Sequence, residues 1–293
     1  MMLFAPGGIA QSRPTRITVL DLGTTPTGSR TATEIRKIFQ AREPRESRQE
    51  FELVDPDQSR TAALGAGFKG SLNMGVQEAR DLGSAMACDF YFVGEAQTVR
   101  RSPSTGADYY ESYAAVFLVS ARTGRLVLWE RLAIRGDSTG AAEKALLANL
   151  GSDESRQRYV VAIRRAQEDE RAERVTAIGS AARIIEVMSD DDNGANEEVR
   201  APRPYRRLKP PYPETAARAE VEATVDVLVD IDARGEVGHL EIARWAGYGL
   251  DQSVIDTVKQ MHFFPAQRDR VAIPMRVLLR YNFRKPPVQN PSQ

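Results

Sequence analysis

The chain has 293 residues, enough for two domains with cores of their own. Its 42% hydrophobic and 27% charged content is that of an ordinary folded protein, and Lys+Arg and Asp+Glu balance at 40 each, so no global field draws it to nucleic acid or anionic lipid. The single cysteine, Cys88, excludes an intrachain disulfide; small and apolar residues surround it, the setting of a buried, inert thiol.

No stretch approaches the ~20 apolar residues that span a bilayer. Met1 to Ala10 is short and apolar, with small residues in Gly8-Ile9-Ala10 at the −3 and −1 spacing of a cleavage site. Without a basic region before it, residues 1–12 read as the remnant of an export signal, which places the protein in the periplasm. A frayed cytoplasmic start is the alternative.

A first domain is expected over residues 13–150. Arg16 to Leu22 is a β-rich run ended by Gly23, and Thr24 to Ser29 reads as a loop. Thr33 to Gln40 suits a short helix, Phe51 to Val54 a strand stopped by Asp55-Pro56, and Val76 to Ala87 a second helix. Phe90 to Gly94 is an apolar run fit for a central strand. Tyr113–Val119 and Leu126–Ile134 form a hairpin, and Ala141 to Leu150 a closing helix. That order predicts a mixed α/β sandwich with one sheet. The stretches Ile17 to Asp21, Ala79 to Gly83 leading to Asp89 to Gly94, and Val119 to Trp129 resemble the amino-terminal domain of the TolB and curli-secretion envelope proteins.

Residues 151–188 are expected to form a linker of one or two helices, with Val175, Ile178, Ala182, Ile185 and Met188 as an apolar stripe. A spacer over 189–211 follows. Ser189 to Gly194 is too polar to bury a core, and Ala201 to Pro211 mixes four prolines with Arg203, Arg206, Arg207 and Lys209 into an extended basic segment.

The last part, residues 212–286 before a disordered tail at 287–293, alternates. Val221, Ala223, Val225, Val227, Val229 and Ile231 share one face of a strand, and Thr224, Asp226, Leu228 and Asp230 the other. Asp232 to Gly235 supplies the turn of a hairpin, with Gly235 at positive φ, and Val237 to Ala243 returns. Leu250, Val254, Ile255, Val258 and Met261 make a helical stripe that Pro265 ends. A final strand alternates from Val271 through Met275 and Val277 to Phe283; its Pro274 and outward arginines mark a sheet edge. If it lies beside Val221–Ile231, Arg276 and Arg280 meet Asp226 and Asp230. The module is thus a three-stranded antiparallel sheet packed by a helix, and the whole chain α+β.

Leu208 to Arg284 resembles the TonB C-terminal domain. The resemblance is carried by Lys209 to Arg218 with its Tyr212-Pro213, by Val225 to Gly235, by Gly249-Leu250-Asp251 with Val254 and Val258, and by Phe264-Pro265-Ala266. Two departures are Ala223, where the family has glycine, and Trp245-Ala246-Gly247, where Trp245 would alter the surface beside the helix. The resemblance implies capture of an envelope protein or outer-membrane receptor segment by strand addition to the last strand. On this chain that edge is Arg276, Leu278, Arg280, Asn282 and Arg284, with Tyr212 and Pro213 as an accessory surface.

Catalytic and cofactor chemistry find no support. Gly65 to Gly70 fits G-x-G-x-x-G by letter but does not follow a strand directly, as a dinucleotide fingerprint must. His239, His262 and one cysteine cannot assemble a structural zinc site, and Asp190-Asp191-Asp192 reads as a solvated segment. The sequence thus points to a non-enzymatic periplasmic protein, without cofactor or metal, accessory to TonB-type transport. The alternative is a structural, homo-oligomeric subunit of an envelope assembly or secretion complex.

Overall fold

The computed structural model describes residues 13–40, 50–179, 187–189 and 199–285. The export-signal remnant, the acidic part of the spacer and the tail lie outside them. The first half begins with β1 (Thr15–Val19), α1 (Pro26–Gln40), β2 (Phe51–Leu53), α2 (Pro56–Gly65), β3 (Met74–Gly75) and α3 (Val76–Ala85). It continues through β4 (Phe90–Arg101), β5 (Tyr109–Ser120), β6 (Leu126–Gly136), α4 (Thr139–Leu150) and α5 (Asp153–Gly179). One sheet orders its strands β2-β1-β4-β5-β6, with β1 parallel to both β2 and β4 and the rest antiparallel.

Two helix starts differ from the expectation, for one physical reason. Thr24 to Ser29 is not a loop throughout, because Pro26 occupies the first turn of α1 and the Thr25 hydroxyl accepts the Gly28 amide at 3.0 Å. Asp55-Pro56 does stop a strand, but it also opens α2: the Asp55 carboxylate accepts the amides of Asp57 and Gln58 at 3.0 and 2.9 Å. The glycine run from Gly65 therefore follows a helix rather than a strand, the reverse of a dinucleotide-binding turn.

Both faces of this sheet are covered, which is why Phe90 to Val93 is apolar without interruption. On one face Phe92, Val116 and Leu118 pack with Ile35 and Phe39 of α1, Leu146 of α4 and Tyr159 and Ile163 of α5. On the other, Tyr91, Phe117 and Val119 share a core with Ala79 and Leu82 of α3 and with the second half of the chain.

Beyond α5 come β7 (Val187–Ser189), β8 (Val199–Arg200), β9 (Arg203–Pro204) and α6 (Glu214–Arg218). Val187 and Met188 are thus strand, not the end of a helix. Part of the basic spacer is built in as well, since β9 pairs with a later strand. The final module is β10 (Ala223–Ile231), β11 (Val237–Trp245), α7 (Leu250–Val258), β12 (Phe263–Phe264), β13 (Ala266–Arg268), β14 (Val271–Ile273) and β15 (Met275–Phe283). The expected antiparallel trio β11-β10-β15 is present, and β3 and β7 extend it to five strands in the order β3-β11-β10-β15-β7. Smaller sheets pair β12 with β9 and order β14-β13-β8.

Val225, Val227, Val229 and Ile231 are buried beneath Leu250, Val254 and Val258 of α7, as their alternation requires. Gly235 turns the hairpin at φ 86°, and a side chain there would collide with the Phe263 carbonyl. The last strand is not continuous. Pro274 breaks it: Val271–Ile273 folds back on β13 through Asp269 and Arg270 at positive φ, which leaves Val271 65% exposed rather than in the core.

Trp245 is not a surface residue. It is 1% exposed, stacks on Phe117 of β5 at 5.9 Å and donates its indole N–H to the Gly124 carbonyl at 3.0 Å. Asn73, just before β3, bonds with its side chain to the Thr224 carbonyl, the Trp245 carbonyl and the Thr224 amide at 2.7 to 2.9 Å. Tyr248 adds a hydroxyl bond to Glu95 at 2.9 Å. The two halves therefore share one apolar core and a set of hydrogen bonds, of which the one from Trp245 to Gly124 is buried.

Candidate partner-binding edge

β15 is paired along its whole length with β10, in a register from Ala223 opposite Phe283 to Ile231 opposite Met275. This puts Arg276 across from Asp230 and Arg280 across from Asp226. Both pairs are two-pronged: Arg276 reaches the Asp230 oxygens at 2.5 and 2.8 Å, and Arg280 those of Asp226 at 2.8 and 3.1 Å. Asp226 is only 5% exposed and has a second cation, Arg244, at 3.7 Å. Guanidinium planes matched to carboxylates in this way fix register, since a slip by one residue would flip every side chain to the other face.

The other expected residues fall into two groups. Leu278 and Arg280 line a small cavity of about 110 Å³ with Pro204, Leu208, Phe263 and Tyr281. Asn282 and Arg284 line a wider groove of about 620 Å³ together with Tyr212, Pro210, Phe283 and Lys285. The accessory Tyr212 is therefore brought to the free end of β15, its ring 6.1 Å from that of Phe283. Its hydroxyl donates to the Val221 carbonyl at 2.5 Å and closes the turn around α6. Pro213 does not line the groove among the described residues; it precedes α6 and packs beside Gly249. Asn282 accepts from the Thr224 hydroxyl at 2.8 Å, and Arg284 is exposed.

The outer edge of β15 is not wholly open. Val187, Met188 and Ser189 of β7 run parallel to it opposite Arg276, Val277 and Leu278. From Leu279 to Phe283 no strand pairs with that edge among the described residues. Sequence reasoning missed β7 because three residues carry too little alternation to stand out beside a long helix, and the pairing spans almost ninety positions.

Elsewhere the chemistry is quiet. Burial pushes the Cys88 thiol up to about 11, and its sulfur sits 3.7 Å from the Gly83 carbonyl. His239 is exposed on β11, and His262 lies 3.3 Å from Glu236 at the surface. Among the described residues no group of His, Cys, Asp and Glu could hold a metal ion, and no helix is long and apolar enough to cross a membrane.

No curated protein matches the chain. Solved structures similar to parts of it include the TonB C-terminal domain of Pseudomonas aeruginosa, at 19% identity over 33% of this chain and 92% of that one, with a TM-score of 0.26. The LpoB C-terminal domain from Salmonella enterica aligns at 14% identity over 43% of this chain and 86% of that one, TM-score 0.26. Lipoprotein GNA1162 from Neisseria meningitidis aligns at 14% identity over 53% of this chain and 99% of that one, TM-score 0.28. Likenesses of that size carry no argument about function. The family comparison is more specific, and it falls on the segment just described: residues 209–284 match the family model of the Gram-negative bacterial TonB protein C-terminal.

Proposed function

We propose that this chain is a non-enzymatic periplasmic protein of the cell envelope, and that its C-terminal module captures an extended segment of an envelope or outer-membrane protein by strand addition along β15. The observation that carries the reading is the place of β15, which lies outside the β11-β10 hairpin in the segment 209–284 that matches the TonB C-terminal family model. Main-chain hydrogen bonds supply affinity in such an arrangement, and side chains flanking the edge supply selectivity. Leu278, Asn282, Arg284 and Tyr212 border the grooves an added strand would touch, and Arg276 and Arg280 hold β15 in register. The match of residues 209–284 to the TonB C-terminal family favours a role accessory to TonB-type transport. The first half, with its likeness to the TolB and curli-secretion domain, serves as the docking platform against which the module is fixed.

Successive amides along a strand point to opposite edges, so Tyr281→Pro and Asn282→Pro divide the work: one removes a donor facing outward, the other a donor facing β10. Both are compared with wild type for capture of proteins from an outer-membrane extract, and each is melted. The outward variant is expected to melt like wild type and lose the captured protein. Undiminished capture by that variant would refute strand addition.

A further inference from the structure

The end strand of the first sheet, β6, and the second strand of the final module, β11, approach each other without pairing. The Arg125 guanidinium bridges Glu241 of β11, at 2.9 Å, and Glu173 of α5, while the Trp129 ring lies 5.6 Å from that of Tyr248. A cavity of about 410 Å³ is lined by Leu126 to Trp129 of β6 and by His239 to Ile242 of β11, with Ile255 of α7 beside them.

Successive side chains of a strand point to opposite faces of its sheet, so a cavity over one face is lined by every second residue. Here Leu240, Glu241 and Ile242 all contribute, in unbroken register with Val229, Leu228 and Val227. Leu128 and Trp129 do the same beyond a bulge at Val127. The cavity therefore meets both strands along their edges. Neither edge carries a strand there among the described residues: β6 ends its sheet, and β3 pairs with β11 only at Arg244 and Trp245. Open edges are commonly guarded by charge or proline, yet Leu126-Val127-Leu128-Trp129 is apolar throughout and only half-buried. We propose that this slot is a strand-accepting site, which takes an extended segment of a second protein between β6 and β11 and joins the two sheets through it. It stands apart from capture at β15.

Two rows of main-chain donors and acceptors suit an extended backbone, which bonds on both sides as a central strand does. Four residues of such a backbone span about 13 Å, at roughly 3.3 Å each. The cavity is also of the size at which ordinary ligand sites begin. Its polar lining is mostly acidic: Glu173, Glu241 and Asp251 stand against His239 and the single guanidinium of Arg125, which the two glutamates already share. Leu126, Leu128, Leu240, Ile242 and Ile255 supply the apolar lining. The complementary segment alternates apolar residues with Lys or Arg, and like charge disfavours an acidic one.

Random linear peptides displayed on phage are panned on the full chain, and the enriched ones are synthesised with a dye and titrated by fluorescence anisotropy. Peptides that alternate apolar residues with Lys or Arg are expected to enrich. They are expected to slow amide exchange at Leu126–Trp129 and at Leu240–Ile242 together, while Arg276–Phe283 is unchanged. Ile255→Lys puts a cation into the slot; it is expected to melt like wild type and to bind these peptides at least ten-fold more weakly. Leu240→Pro and Glu241→Pro separate a donor facing the slot from one facing β10. The outward variant is expected to weaken binding about three- to ten-fold, the loss of one hydrogen bond, and it serves alone should Ile255→Lys not fold. Equal affinity of wild type and the folded slot variants would overturn the proposal, as would enrichment of acidic peptides or of none. Protection confined to β15 would overturn the slot and leave capture at β15 standing.

Discussion

The indole N–H of Trp245 donates to the Gly124 carbonyl at 3.0 Å, so the last residue of β11 is bonded to the turn that precedes β6. Both partners are out of water, and the ring is 1% exposed against Phe117. Trp245→Phe keeps most of the packing but strands the carbonyl, at a cost of about 1–3 kcal/mol. Trp245→Ala also opens a cavity and should cost about 3–5 kcal/mol. Urea unfolding checks both. In the Phe variant Trp129 is the sole tryptophan, so its fluorescence reports the first half while far-UV dichroism reports the whole. The two midpoints are expected to coincide in wild type and to separate in the Ala variant.

Asp226 is held between Arg280 and Arg244 in an almost buried position. Arg280→Ala leaves the second cation in place and should cost about 1 kcal/mol. The double variant R244A/R280A leaves a buried carboxylate with neither, and should cost about 3–5 kcal/mol. Comparison of the single and double variants by chemical denaturation measures the coupling; strict additivity would show that Asp226 does not depend on the pair.

Burial pushes the Asp251 carboxyl up to about 6, even though the amides of Ala246 and Gly247 donate to it at 2.9 and 2.8 Å and favour its charged form. The folded state then holds a proton that the unfolded state, near the ordinary aspartate value of 3.8, has already released. Between those two values the native protein binds more protons, so stability falls as pH rises through the window. A tenfold difference in proton affinity between the two states is worth about 1.4 kcal/mol, so the gap from 3.8 to about 6 sets an upper limit of about 3 kcal/mol. Unfolding free energies of wild type and Asp251→Asn at pH 4 and pH 7 should show wild type losing more than the variant. Parallel curves would contradict the raised value.

With its thiol raised to about 11, Cys88 is almost entirely protonated at neutral pH. Iodoacetamide at pH 8 is therefore expected to label the native chain at least ten-fold more slowly than the urea-unfolded chain. Mass spectrometry of timed aliquots follows the reaction.

The elements that the sequence announced are those whose signal lies within a few neighbouring residues. Val225 to Ile231 alternates strictly and forms β10, Asp232 to Gly235 makes the turn, and the aspartates and arginines on the outward faces of two strands meet as their spacing requires. The last strand was legible on the same grounds from Met275 onward, but its place in the sheet was not, because β7 pairs outside it at Arg276 to Leu278. The start of that strand was misjudged because alternation alone does not register the turn at Asp269 and Arg270 that returns Val271 to β13.

By itself, the amino-acid sequence determined the local periods, the α+β class, and the order of β10, β11, α7 and β15 in the final module. Only the tertiary structure decided that Trp245 is buried, that Met74-Gly75 joins β11, and that Val187–Ser189 covers part of β15. The reason is physical. A period of two or 3.6 residues is encoded by adjacent side chains, whereas the neighbour across a sheet edge or beneath an indole ring is chosen by the free energy of packing segments about 90 to 170 positions apart.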